Sequence, residues 1–363
     1  MLAERELNTM IWTFELFRFY FLICVMFTHL IFLVEPVNDR ISTIMNFGTA
    51  AVYYFFILSA FFMYFTLKKY SPENWKSAIK LIIKRTMKYF VLYWIRLLLV
   101  VAYYFILIFY SHIHSYSISD VLSQFFTNLL MIDVYTPIDG PDVGWYFRSL
   151  IFCYLFAYPI YKLVNKLSVK KRMIIIVLCF LTHFTVSHFF TGTKFETWSI
   201  YYNPYLHLFD FFIGMSIARE ISDQNEKENI SVSKATATLS EAFALGLIVI
   251  AQFIMPYHIQ WLMPYRYSIY LVIMSILVYV FSKQAGYLSI TTGDHPILSG
   301  LHKHFFSLYI FHDIMIKYTL MVPWSNSKYA NLAAAIVLIV VLDELIFLPV
   351  SKRLSKVINQ HIA

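Results

Sequence analysis

The residues best suited to chemistry lie in the first apolar stretch of the chain, where Glu15, Arg18 and His29 interrupt a run of hydrophobic residues. Between Arg18 and Thr28 every residue is apolar, aromatic or cysteine. In an α-helix eleven residues make three turns plus about 20° and rise about 16 Å. Arg18 and His29 therefore share a face, the first near the membrane surface and the second deep in the bilayer. Ionisable side chains at that depth are costly and mark a functional site by default. A neutral imidazole facing a water-filled cavity can act as a general base; the plain alternative is a packing hydrogen bond to a neighbouring helix. Arg18 alone reads as an arginine that snorkels to the interface. Glu15, three residues earlier, is within reach as its ion-pair partner.

A second constellation is Lys80, Lys84, Arg85, Lys88 and Tyr89. Spacings of four put the three lysines along one helical stripe with Arg85 beside it. Such a stripe attracts phosphate, either of anionic lipid or of a phosphorylated cofactor. His312 and Arg148 are further polar residues within apolar stretches, balanced between packing or snorkelling and a site role. Arg96 and Lys317 are also charges in spans, and no partner is proposed for either. None of the loop histidines (His112, His114, His295, His302, His304) shows metal-ligand spacing with carboxylates or cysteines, so no metal is expected. Cys24, Cys153 and Cys179 lie in apolar segments at irregular spacings and read as small core hydrophobes.

These residues must be positioned by membrane helices. The 363 residues are 60% hydrophobic and only 14% charged, against about 45–50% and about 25% in soluble domains. An all-α polytopic fold with about ten transmembrane helices is expected, at about 11–34, 47–67, 89–110, 145–164, 173–190, 204–218, 236–255, 265–282, 305–322 and 330–349. The sixth is short, opened by Pro204. The first stretch is long enough to span and lacks the marks of a cleaved signal peptide. Lys and Arg crowd the loops on the side of the N-terminus, and the opposite side holds little beyond Arg40, Lys194, Arg266 and Lys328. The positive-inside rule then puts both termini in the cytoplasm. The net charge of +8 is thus mostly topological, and no nucleic-acid partner is expected. Residues 1–363 read as one transmembrane domain without internal repeats. Arg219 to Lys234 reads as an ordinary solvated loop. Residues 111–143 form an extracytoplasmic loop with a short amphipathic helix: Ser119-Asp120 resembles a cap, followed by Val121, Leu122, Phe125, Phe126, Leu129 and Leu130 at helical spacing.

The Glu-x-x-Arg-x10-His of the first span resembles the opening signature of the integral-membrane acyltransferase family 3. Five further segments follow in that family's order. Tyr54 to Phe61 looks like its Phe-Phe-x-x-Ser-Gly-Phe segment, and Arg85 to Lys88, ahead of Tyr93-Trp94, looks like its Arg-x-x-Arg. Trp145 to Leu150 is similar to its Trp-Phe-Leu-Arg, Pro204 to Gly214 to its Pro … Phe-x-x-Gly, and Phe306 to His312 to its Tyr-Ser-Leu-Tyr-x-x-His. The chain departs at Ala60, where glycine is expected, at Lys88, which keeps the charge but loses a bidentate fork, and at Phe347-Leu348-Pro349, where Glu-x-Pro is common.

The resemblance implies a plasma (inner) membrane O-acyltransferase moving acetyl from cytoplasmic acetyl-coenzyme A to a hydroxyl of a cell-surface or lipid-linked carbohydrate. Arg85, Lys88 and Arg18 would meet the donor's phosphates and pantetheine arm. His29 would meet the thioester, as base on the acceptor hydroxyl or as acyl carrier. Ser59, Tyr53 and Tyr54 are candidates to offset the oxyanion, and Arg148 lies near the outer end of its span, where a carbohydrate would approach. The rival expectation is a transporter or flippase of a lipid-linked oligosaccharide, with Arg18 and His29 binding substrate or protons.

Overall fold

The computed structural model describes residues 11–33, 46–109, 117–132, 135, 143–226, 233–292, 302–321 and 325–362. They form helices and turns, with no strand among the described residues. In chain order these are α1 (Ile11–Leu33), α2 (Gly48–Tyr70), α3 (Trp75–Phe109), α4 (Ile118–Leu129), α5 (Trp145–Leu155), α6 (Ala157–Lys166), α7 (Val169–Phe190) and α8 (Pro204–Glu226). There follow α9 (Lys234–Val249), α10 (Arg266–Ser282), the short α11 (Tyr287–Thr291), α12 (Phe305–Met321), α13 (Lys328–Leu342) and α14 (Leu348–Ile362). Six helices among the described residues are long and apolar enough to cross a membrane, or seven if α5 and α6 are one bent span. α1, α8 and α12 are helical over the described parts of the other three expected stretches but fall outside that count.

The centre of the bundle is α2. Of its most apolar stretch 83% is buried, against 17% for the peripheral α7. Small residues let its neighbours approach closely, as is usual where helices pack in lipid. A side chain at Gly48 would collide with the α1 backbone at Val25 and Cys24, and one at Gly214 of α8 would collide with the Ile57 carbonyl and the Ala60 Cβ. Ala60, at the position where a glycine is expected, is thus the surface against which Gly214 of α8 packs. Cys24, Cys153 and Cys179 are buried and unbridged.

Two breaks have local causes. Between α5 and α6 the axis bends by 52°. Pro159 has no N–H to give the Leu155 carbonyl four residues back, and that carbonyl accepts instead from the Trp75 indole Nε1 at 3.0 Å. Between α13 and α14 the turn Asp343–Phe347 widens to a π-helix just ahead of Pro349, the position at which proline breaks the ordinary bonding pattern.

Three boundaries differ from the sequence expectation. α3 begins at Trp75 rather than near Tyr89 and has 35 residues; at about 52 Å it outruns a hydrocarbon core of about 30 Å, so its basic end projects beyond the membrane. α8 is not short: it runs to Glu226, taking in the first part of the supposed loop. Its polar end stays helical because Arg219 pairs with Asp223 at 2.9 Å (i,i+4), while the buried Arg172 of α7 reaches Glu220 at 3.0 Å. The cap of α4 is Ser117, not Ser119. Its hydroxyl accepts from Asp120 N at 3.1 Å and the Asp120 carboxylate accepts from Ser117 N at 3.3 Å, a reciprocal capping box. Much of the 111–143 loop lies outside the described residues.

Candidate active site

A cavity of about 600 Å³ opens among α1, α2, α3, α5, α12 and the α13–α14 turn, a size within the ~300–1,000 Å³ usual for ligand sites. Its walls carry five cations (Arg18, Arg85, Lys88, Lys303 and Lys352) and two carboxylates, Glu15 and Glu344, among the described residues. Glu15, three residues before Arg18, binds its guanidinium, which also lies 5.2 Å from the centre of the Phe62 ring. Lys303 binds Glu344 in the same way. Arg85, Lys88 and Lys352 pair with no carboxylate among the described residues. Of the basic stripe only Arg85 and Lys88 line the cavity; Lys80 and Lys84 do not.

Ser59 also lines it and interacts with the hydroxyls of Tyr146 and Tyr154 from α5, which line it too. Tyr53 and Tyr54 are elsewhere: their hydroxyls donate to the backbone carbonyls of Ile200 at 3.2 Å and Phe14 at 2.9 Å. They hold helices together and are removed from the set of oxyanion candidates.

Leu22, Phe55, Tyr146 and Tyr309 also line the cavity. His29 and His312 do not line it. They lie just beyond: Leu22 is two turns before His29 on α1, and Tyr309 lines the cavity while its ring meets that of His312 edge-on at 6.0 Å. The two imidazoles are 5.0 Å apart, centre to centre. His29 therefore turns into the bundle against α12 rather than towards lipid. His312 is fully buried, and its Nδ1 sits 2.6 Å from the Tyr309 carbonyl. A carbonyl only accepts, so Nδ1 carries the proton and Nε2 is a bare acceptor. That Nε2 has no hydrogen-bond partner among the described residues.

Around this pair stands a charge cluster that spacing alone did not reveal. Asp313 lies 3.6 Å from Arg96 of α3 and 3.2 Å from Lys317, one turn along α12. All three charges are within electrostatic reach of His29. Arg96 and Lys317 thus share a carboxylate. The i,i+4 spacing of Asp313 and Lys317 was the available signal; the crossing of α3 over α12 was not.

A family model described as an acyltransferase domain matches residues 11–342. The chain belongs to acyltransferase family 3. No curated protein and no solved structure matches it. In this membrane acyltransferase Arg148 is not open to the outside as expected. It is fully buried, its Nη1 donates to the Tyr93 hydroxyl at 2.9 Å, and that hydroxyl donates to the Asn128 carbonyl at 2.7 Å. Arg148 thereby ties α5 to α3 and, through Tyr93, to the end of α4.

The acyltransferase has a second buried polar group unforeseen in its sequence. Asp210 of α8 lies 2.6 Å from His207 Nδ1 and 3.6 Å from His183 Nε2 on α7, while His207 Nε2 faces the Tyr201 carbonyl at 2.9 Å. His207 also stacks on Phe56 at 3.9 Å. None of these residues lines the cavity, and they read as a polar clamp between α7, α8 and α2.

Proposed function

We propose that the protein transfers acetyl from cytoplasmic acetyl-coenzyme A to a hydroxyl of a cell-surface or lipid-linked carbohydrate, in a plasma (inner) membrane that it crosses ten times with both termini inside. The observation that carries this reading is the cavity lined by Arg85 and Lys88, which pair with no carboxylate among the described residues, by Arg18 and Ser59, and by Tyr309 beside the His29–His312 pair. A cofactor with several phosphates suits the basic mouth. Its slender pantetheine arm suits the aromatic interior, where Arg18 is held ready by Glu15.

In this scheme a ring nitrogen of His29 takes the proton of the acceptor hydroxyl as its oxygen attacks the thioester carbonyl carbon. The tetrahedral intermediate collapses, the C–S bond breaks, and the departing thiolate recovers the proton from His29. Ser59, with Tyr146 and Tyr154 behind it, is the hydroxyl best placed along the cavity to offset the oxyanion. Direct transfer needs no acyl-histidine. Supporting roles fall to Glu15, which orients Arg18, and to His312, against which the His29 ring packs. Arg148 belongs to the frame that joins α3, α4 and α5.

The test is the O-acetyl content of the host's surface polysaccharide, measured by NMR with wild type, His29→Ala and Arg85→Ala at matched expression. His29→Ala removes the acetyl signal, and Arg85→Ala lowers it in a way that more donor restores. Equal acetylation in all three strains sinks the proposal. Disappearance of the polysaccharide itself points to transport of a lipid-linked oligosaccharide.

A further inference from the structure

The family match ends at Leu342, yet the chain beyond it reaches the cavity. Glu344, Leu348, Ser351 and Lys352 all line its mouth. α14 lies along the part of α3 that outruns the membrane. Ser351 Oγ donates to the Lys88 carbonyl at 2.7 Å, and Asn359 Nδ2 donates to the Lys84 carbonyl at 3.2 Å. Ser351 is 1% exposed, so the first of these bonds is shielded from water and sets the register of α14 against α3. In that register the side chains of Lys352 and Lys88 reach the same cavity.

Charge indicates what this wall is for. Arg18 is engaged by Glu15 and Lys303 by Glu344. Arg85, Lys88 and Lys352 have no carboxylate beside them among the described residues. Like charges converging on one opening repel each other, and an anion placed among them offsets that repulsion with charge-assisted hydrogen bonds. Glu344, at the same mouth, is itself an anion and occupies Lys303 in the absence of a ligand.

We infer that the segment after the family domain is part of the donor site: Lys352 completes, with Arg85 and Lys88, a three-cation subsite for the phosphates of coenzyme A, and Glu344 competes with those phosphates for Lys303. The inference rests on coenzyme A as donor and extends that site to residues the family domain does not contain. Lys352 and Glu344 therefore act on donor affinity with opposite signs, which a merely structural role for α14 does not produce.

The experiment uses the full chain in nanodiscs of neutral phosphatidylcholine, with coenzyme A as the probe in calorimetric titration and acetyl-coenzyme A in turnover. Lys352→Ala weakens coenzyme A binding about three- to tenfold, the range for an exposed charge-assisted contact. It raises the donor KM by the same factor and leaves kcat near wild type. Glu344→Gln tightens binding about two- to fivefold. Arg353→Ala, an exposed neighbour that does not line the cavity, changes nothing. If wild type fails to bind coenzyme A, the donor reading itself is wrong. If wild type binds and Lys352→Ala binds equally well, only the present inference is overturned. An equal loss in Arg353→Ala also overturns it, because general surface charge then suffices. So does a Lys352→Ala defect seen only as lost affinity for anionic nanodiscs, because the wall is then a lipid-headgroup site.

Discussion

The close approach of α1 to α2 makes Gly48→Ala a sharp probe of the site. The Gly48 N–H donates to Thr28 Oγ1 at 3.0 Å, and the Thr28 hydroxyl donates to the Cys24 carbonyl at 2.9 Å. A Cβ at Gly48 would stand 2.5 Å from Thr28 Oγ1, 2.7 Å from Val25 Cα and 2.9 Å from Cys24 O. Two of these three atoms are backbone, so no rotamer change relieves the collision. To reach ordinary contact near 3.5 Å, α1 must retreat by roughly half to one ångström. Overpacking of this kind costs about 1–3 kcal/mol, or about five- to 150-fold in the ratio of folded to unfolded protein. His29 rides on the displaced turn, next to Thr28. A catalytic group misplaced by about 1 Å loses on the order of a hundredfold in rate. The assay pairs thermal melts of the purified protein with acetyl transfer at saturating donor. Gly246→Ala in α9 is the control, since a Cβ there meets nothing within 4 Å. Exchanging a mid-helix glycine for alanine adds about 0.5–1 kcal/mol of stability. A Gly48→Ala protein that melts and turns over like wild type refutes the packing argument, and with it the position assigned to His29.

Other substitutions test the frame and the charge cluster. Gly214→Ala puts a Cβ 2.3 Å from the Ile57 carbonyl and 2.8 Å from the Ala60 Cβ; we expect a loss of stability at least as large as for Gly48→Ala. Adding Ala60→Gly recovers only part of it, because the carbonyl stays, and full recovery in melts would contradict this. Asp313→Ala removes the carboxylate shared by the buried Arg96 and by Lys317, a loss of about 3–5 kcal/mol for a broken buried pair. Combining it with Arg96→Met is predicted to cost less than the sum of the two single changes, and an additive double-mutant cycle in denaturation would reject the pairing. Asp210→Ala strands His207 and His183 and lowers the melting temperature while leaving the donor KM unchanged, because no member of that clamp lines the cavity. A raised KM would assign the clamp to the site.

Much of the cavity was legible as local pattern. The Glu15–Arg18 pair and the stripe holding Arg85 and Lys88 were readable because periodicity puts a residue on a helix face and a charge in an apolar helix must turn inward, whereas Ser59 came only from the family resemblance. The all-helical character of the described residues followed from runs of apolar residues too long for a soluble chain. What spacing could not supply was which face meets which. Tyr53 and Tyr54 looked as able as Ser59 to hold an oxyanion until their hydroxyls were found on carbonyls of other helices. Arg148, near the outer end of its span, proved to be buried and bonded to the Tyr93 hydroxyl.

By itself, then, the sequence determined a family, a membrane, and a row of ionisable side chains along the first and third helices, because hydrophobicity and helical period are properties of consecutive residues. Only the tertiary structure decided that His29 meets His312 beside Asp313, that the cavity stops at Tyr309, and that a helix beyond the family domain supplies Lys352 to its mouth. Those pairings join residues hundreds of positions apart. They are set by how helices cross, and no short-range regularity in the chain encodes the crossing.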